Sequence, residues 1–74
     1  MTAVKILSPQ QSIIMQHLVN GCTIKEIALQ MGLACVTVRK HVMRASQKLG
    51  AKTHDHAIAL VVARGEVVVI TEKT

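Results

Sequence analysis

Lys40, Arg44, Lys48 and Lys52 recur at every fourth position, a spacing that on a helix lays them slowly around one side. A row of cations is chemistry for anions, and most such rows do no more than face solvent. Two features set this one apart. No Asp or Glu occurs between positions 28 and 53, so the acidic i,i+4 partners of an ordinary solubilising face are missing. Val36 and Met43 also stand among the cations, where a purely solvated face would be polar. Cations that neutralise phosphates, interleaved with apolar groups that can meet thymine methyls, suit the DNA major groove.

Other chemistries find less support. Ser12 and Ser46 have no base at a meaningful spacing, and the four acids are scattered without a paired-carboxylate signature. No glycine-rich phosphate loop is present, so the chain is not read as an enzyme. His17, His41, His54, His56, Cys22 and Cys35 lack the short Cys or His pairs of a zinc finger. No metal or other cofactor is therefore expected. His41 flanks the apolar side of its helix and reads as a packing or phosphate-facing residue.

The totals agree with a nucleic-acid partner. The 74 residues carry nine Lys or Arg against four Asp or Glu, a net charge of +5. A pI near 9.8 suits a polyanion or an anionic surface. Half the residues are apolar, yet Phe, Tyr and Trp are absent, so the core must be built from Ile, Leu, Val, Met and Ala. One domain of this length buries only about 60% of its unfolded surface. Two cysteines are too few for a disulfide framework and are expected reduced, in a cytoplasm. The N-terminus has no signal-peptide pattern, and no apolar stretch reaches membrane-spanning length.

The elements that must position the cations follow from helical periodicity and capping signals. The basic residues lie on a helix predicted over residues 35–49, whose dry side is Val38, Val42, Ala45 and Leu49. Val36, Lys40, Met43, Arg44 and Gln47 lie nearly opposite, with Arg39 and Lys48 on the flanks. A shorter helix over residues 24–31 precedes it, with Ile24, Ile27, Ala28 and Met31 on one face. Gly32-Leu33-Ala34 joins the two with the length of a helix-turn-helix turn, Gly32 taking the left-handed conformation. Ser8 with Gln11, and Thr23 with Glu26, have capping-box spacing. Pro9 suits the first turn of a helix that buries Ile14, Met15 and Leu18 and ends at Asn20-Gly21. Thr53 opens a last helix over residues 54–64, closed by Gly65. The expectation is an all-α, four-helix domain over residues 8–65, after a loose arm (1–7) and before a tail (66–74). Within that tail, EVVVI reads as extended.

The segment from Leu7 onward resembles the LuxR/GerE-type (NarL/FixJ-type) DNA-binding domain over residues 7–65. The ordered set that carries the resemblance is Gly21, Lys25-Glu26-Ile27-Ala28, Gly32-Leu33, Thr37-Val38-Arg39, His41 and Lys48-Leu49-Gly50. The resemblance implies a bacterial or phage transcription regulator whose third helix reads the major groove and whose fourth often pairs two subunits. It implies base contacts from Arg39, Lys40 and Met43, and phosphate contacts from Thr37, Lys48 and Arg44. It also implies that Glu26 braces the scaffold against a basic residue before the fourth helix. Three positions depart from the family pattern. Gln11 stands for the usual acid, Ala34 for the usual N-cap serine, and His54 for the usual arginine. With seven residues before the fold, the chain is expected to act without a sensor domain of its own.

Val36 joins the expected base-facing set, and Gln47 and Lys25 the phosphate-facing one. The fourth helix is apolar all round through Ala57, Ile58, Ala59, Leu60, Val61, Val62 and Ala63. Leu60, Val61 and Val62 are accordingly expected at a homodimer contact. The reading is a dimeric, sequence-specific transcription regulator on double-stranded DNA, with RNA polymerase or another regulator as a further partner and no membrane association. The alternative is an interaction module of the same fold that binds a regulator or a polymerase subunit.

Overall fold

The computed structural model describes residues 6–65. The extended reading of EVVVI, the polar tail and the first five residues of the arm lie outside the described residues. Four helices follow in order: α1 (Pro9–Val19), α2 (Ile24–Met31), α3 (Cys35–Leu49) and α4 (His54–Arg64). These are the four predicted helices. No helix among the described residues is long and apolar enough to cross a membrane.

Each start is set by local chemistry. The Ser8 hydroxyl accepts from the Gln11 amide at 3.2 Å while Gln11 Oε1 accepts from the Ser8 amide at 3.1 Å. Thr23 and Glu26 repeat the exchange at 3.1 and 2.8 Å, so both capping boxes satisfy orphan amides of a first turn. At α4, Thr53 Oγ1 accepts from the His56 amide at 3.0 Å and His56 Nδ1 accepts from the Lys52 amide at 3.1 Å. The histidine ring thus serves the amide before the N-cap, not the N-cap amide that Gln11 and Glu26 take in their capping boxes. Ala34 precedes α3 with extended backbone (ψ 149°) and no side-chain cap.

The turn between α2 and α3 depends on Gly32 at φ +67°, a conformation that costs an L side chain about 1 kcal/mol or more. The left-handed residue lets the Leu33 amide donate to the Ala28 carbonyl at 2.9 Å. That bond closes α2 as a Schellman motif and turns the chain into α3.

α3 is the central element, packed against α1, α2 and α4. Ile14 and Met15 from α1, Ile27 from α2, Val38 and Ala45 from α3, and Ala57 and Val61 from α4 are fully buried. Truncating one of the larger side chains to alanine in such a core costs about 2 to 5 kcal/mol. Leu18 and Leu49, predicted on the buried stripes, are only partly covered and pack at the margin of the core. Two corrections follow from this packing. Leu7, read as part of a loose arm, is buried with 7% exposure, so the chain joins the core before α1 begins. Val61, read as a subunit contact, has 0% exposure. It faces the core of its own chain and has no surface to offer a partner.

Candidate nucleic-acid interface

Burying Val38, Val42 and Ala45 fixes the rotation of α3, and that rotation determines what the helix shows outward. Val36 and Met43 are 56% and 54% exposed. Arg39, Lys40, Arg44, Gln47 and Lys48 are exposed, and Thr37 is half-buried. Fifteen residues at about 1.5 Å each give a face roughly 22 Å long. Lys25 is exposed on the first turn of α2. The structure therefore brings the expected base-facing and phosphate-facing residues of α3 onto one continuous surface, with Lys25 on a neighbouring element.

Electrostatically the face is uncompensated. Among the described residues, the side chains of Arg39, Lys40, Arg44 and Lys52 make no hydrogen bond or ion pair. Lys48 differs, because its Nζ donates to Gln11 Oε1 at 2.9 Å. Gln11 has 6% exposure, and its oxygen serves both the α1 cap and a cation 37 residues away. The acceptor is neutral, so it orients the ammonium without cancelling its charge.

The expected brace from Glu26 to the start of α4 is not formed. The Glu26 carboxylate turns back onto its own helix and accepts from the Thr23 amide. That backbone hydrogen bond, and then the one with the Thr23 side chain, hold the carboxyl below the ordinary carboxylate range. His54, which stands where the family usually has arginine, is exposed and lines a groove instead.

That groove was not anticipated from the sequence. It is about 330 Å³ and is lined by Ile24 of α2, Arg39, Val42, Met43 and Ser46 of α3, Ala51, Lys52 and Thr53 of the following turn, and His54 at the start of α4. Arg39 and Met43 belong to both the groove and the outward face of α3. The lining runs from Ile24 to His54 across several elements, so the only sequence signal was the continued basic spacing at Lys52. Ala59 and Ala63 were not among the contact residues expected from the sequence. They are the exposed small residues of α4, flanked by the half-buried Leu60 and Val62.

His41 Nδ1 is buried without a hydrogen-bond partner, which favours the packing role over the phosphate-facing one. His17 Nδ1 and Cys22 Sγ stand 4.0 Å apart, and no third His, Cys, Asp or Glu joins them among the described residues. Both cysteines are free.

A four-helix core that presents the second helix of a helix-turn-helix, with unpaired cations and apolar groups outward, defines a DNA-binding domain of the transcription-regulator class. The family described as GerE, bacterial regulatory proteins of the luxR family, matches residues 5–61, and the chain belongs to that family. It is 34% identical over 61 residues to the spore germination protein GerE of Bacillus subtilis (strain 168), covering 82% of each chain. It is 40% identical over 52 residues to the probable HTH-type transcriptional regulator GfsR of Streptomyces halstedii. That match covers 70% of this chain but spans only 21% of GfsR. Among solved structures, the transcription factor GerE aligns with a TM-score of 0.85 and 30% identity, over 90% of this chain and 100% of that one. A Vibrio cholera VqmA–ligand–DNA complex aligns at 0.80 with 29% identity, over 89% of this chain and 29% of that one.

Proposed function

We propose that this DNA-binding regulator lays α3 in the major groove and reads base edges with Arg39, Lys40, Met43 and Val36. Thr37, Arg44, Gln47, Lys48 and Lys25 hold phosphates on the flanks. The single observation that carries this reading is the outward face of α3, where Arg39, Lys40 and Arg44 have no internal partner and two apolar side chains are more than half exposed. Leaving such a face bare has a cost in repulsion and solvation that a polyanionic ligand removes. The VqmA neighbour was solved as a complex with DNA, which supports the docking mode.

The regulator acts as a homodimer on a dyad-symmetric site, in the cytoplasm. α4 is the pairing element: Ala59 and Ala63 permit close approach, and Leu60 and Val62 supply the apolar margin. RNA polymerase or a second regulator is a further partner of the DNA-bound dimer.

The test is a binding titration across salt, on a site selected from random duplexes and on random-sequence DNA. Log affinity is expected to fall linearly with log salt, by about 0.9 per phosphate contact. Arg39→Ala and Lys40→Ala are each expected to cost about 1 to 3 kcal/mol on the selected site and much less on random DNA. Flat salt dependence of the wild type would refute DNA binding itself. Equal losses on both DNAs would move base reading to other residues.

A further inference from the structure

The groove beside α3 adjoins the base-facing surface and shares Arg39 and Met43 with it, but Ser46, Lys52, Thr53 and His54 have no role in the reading above. Its walls carry three basic side chains, Arg39, Lys52 and His54, and no acid is among its lining residues. The Lys52 amide is used, since it donates to His56 Nδ1. Its ammonium is not, and the Arg39 guanidinium and the His54 ring also have no partner among the described residues. The rest of the lining is of another kind: Ile24, Val42, Met43 and Ala51 are apolar, and Ser46 and Thr53 add hydroxyls. Cations beside apolar side chains in one groove match a chain that alternates a phosphate with a deoxyribose ring.

Position points the same way. Arg39 and Lys48 are nine residues apart on one helix, so at 100° per residue they lie about 180° apart around α3. Lys48 leans toward α1 through Gln11, whereas Arg39 leans toward the groove. A helix in a major groove has one backbone on each side. Thr37, Arg44 and Lys48 serve one flank, and on the other flank this groove opens directly from the base-facing surface through Arg39 and Met43.

We propose that the groove formed by Lys52, His54, Ser46 and Thr53, with Arg39 at its mouth, binds the sugar-phosphate backbone of the second strand of the same duplex. The inference rests on the major-groove reading of α3. Lys52 supplies the permanent charge at the phosphate, and His54 adds a donor beside it. Ile24, Val42 and Ala51 receive the sugar. α3 is thereby clamped to both walls of the groove, which restricts how far it can roll and so which base edges Arg39 and Lys40 reach.

The experiment compares the full chain with Lys52→Gln, Lys52→Ala and Lys52→Ala/His54→Ala, using duplex anisotropy titrations at 50 and 200 mM salt. All these side chains are exposed, and circular dichroism melts confirm that each variant is folded. Loss of one phosphate contact is expected to lower the salt slope by about 0.9, so the wild type should lose about 3.5-fold more affinity than Lys52→Ala over that fourfold rise in salt. The loss should be equal on selected and random DNA. A scan with single neutral methylphosphonates supplies the position. The wild type is expected to be sensitive on both strands, and the double variant to become indifferent at one phosphate while keeping its sensitivity on the strand held by Lys48. A steep wild-type slope that every Lys52 and His54 variant retains, with an unchanged methylphosphonate pattern, would overturn the groove site and leave DNA binding intact. A flat wild-type slope would instead remove the reading on which the site rests.

Discussion

Gln11 and Lys48 are joined by one hydrogen bond of 2.9 Å across 37 residues, and the choice of a neutral acceptor has consequences at both ends. A carboxylate here would gain a charge-assisted bond to Lys48 and would still accept from the Ser8 amide. It would also compensate the ammonium within the protein, leaving less charge for a phosphate. Gln11→Glu is therefore expected to raise the melting temperature at neutral pH and to reduce the salt slope of DNA binding by up to about 0.9. Melting curves and salt titrations of the same variant check both effects. A higher melting temperature with an unaltered slope would show that Lys48 only ties α3 to α1, and would remove it from the phosphate set.

Among the elements, α3 has the weakest start. α1, α2 and α4 each have a side-chain cap, whereas Ala34 leaves the first amides of α3 without one. The helix forms regardless, because Gly32 turns the chain into it and Val38, Val42 and Ala45 anchor one side in the core. Tertiary packing supplies most helical stability in proteins. Ala34→Ser is expected to stabilise the domain by about 1 kcal/mol. For a domain of this size that is a rise of about 4 to 8 °C in melting temperature, measured by calorimetry. No change in melting would indicate that the backbone before α3 cannot place a serine hydroxyl over the Val36 or Thr37 amide.

At the scale of the whole molecule, the question is which side of α4 remains free for a second copy. Val61 and Ala57 are fully buried, and Ile58, Leu60 and Val62 are partly covered. Ala59 and Ala63 face outward. Pairing through that outer side would place two α3 helices about one DNA turn apart, roughly 34 Å. Val62→Glu is expected to keep the fold, halve the mass in analytical ultracentrifugation and weaken binding to a dyad site. Val61→Glu is expected to unfold the chain, since it buries an unpaired charge, and so reports on the core alone. A folded Val62→Glu protein with wild-type mass and DNA affinity would exclude this side of α4 as the interface.

What was legible in the sequence is what local chemistry decides. Ser8 with Gln11, Thr23 with Glu26, Thr53 at its cap and Gly32 in the turn all act over three to five residues. Helix limits and the helix-turn-helix could therefore be read directly. The cationic face of α3 was legible for the same reason, because residues on one helix keep fixed angles to one another. Tertiary structure alone decided the rest. Val61 rather than Val62 enters the core because α4 rolls to fit α1 and α3, and an all-apolar helix carries no internal record of that roll. Glu26 folds back on Thr23 instead of reaching α4, Leu7 joins the core, and Gln11 meets Lys48, each through a choice among competing partners. The groove is the furthest from local information: its lining comes from α2, α3, the turn before α4 and the start of α4, and only packing brings them together.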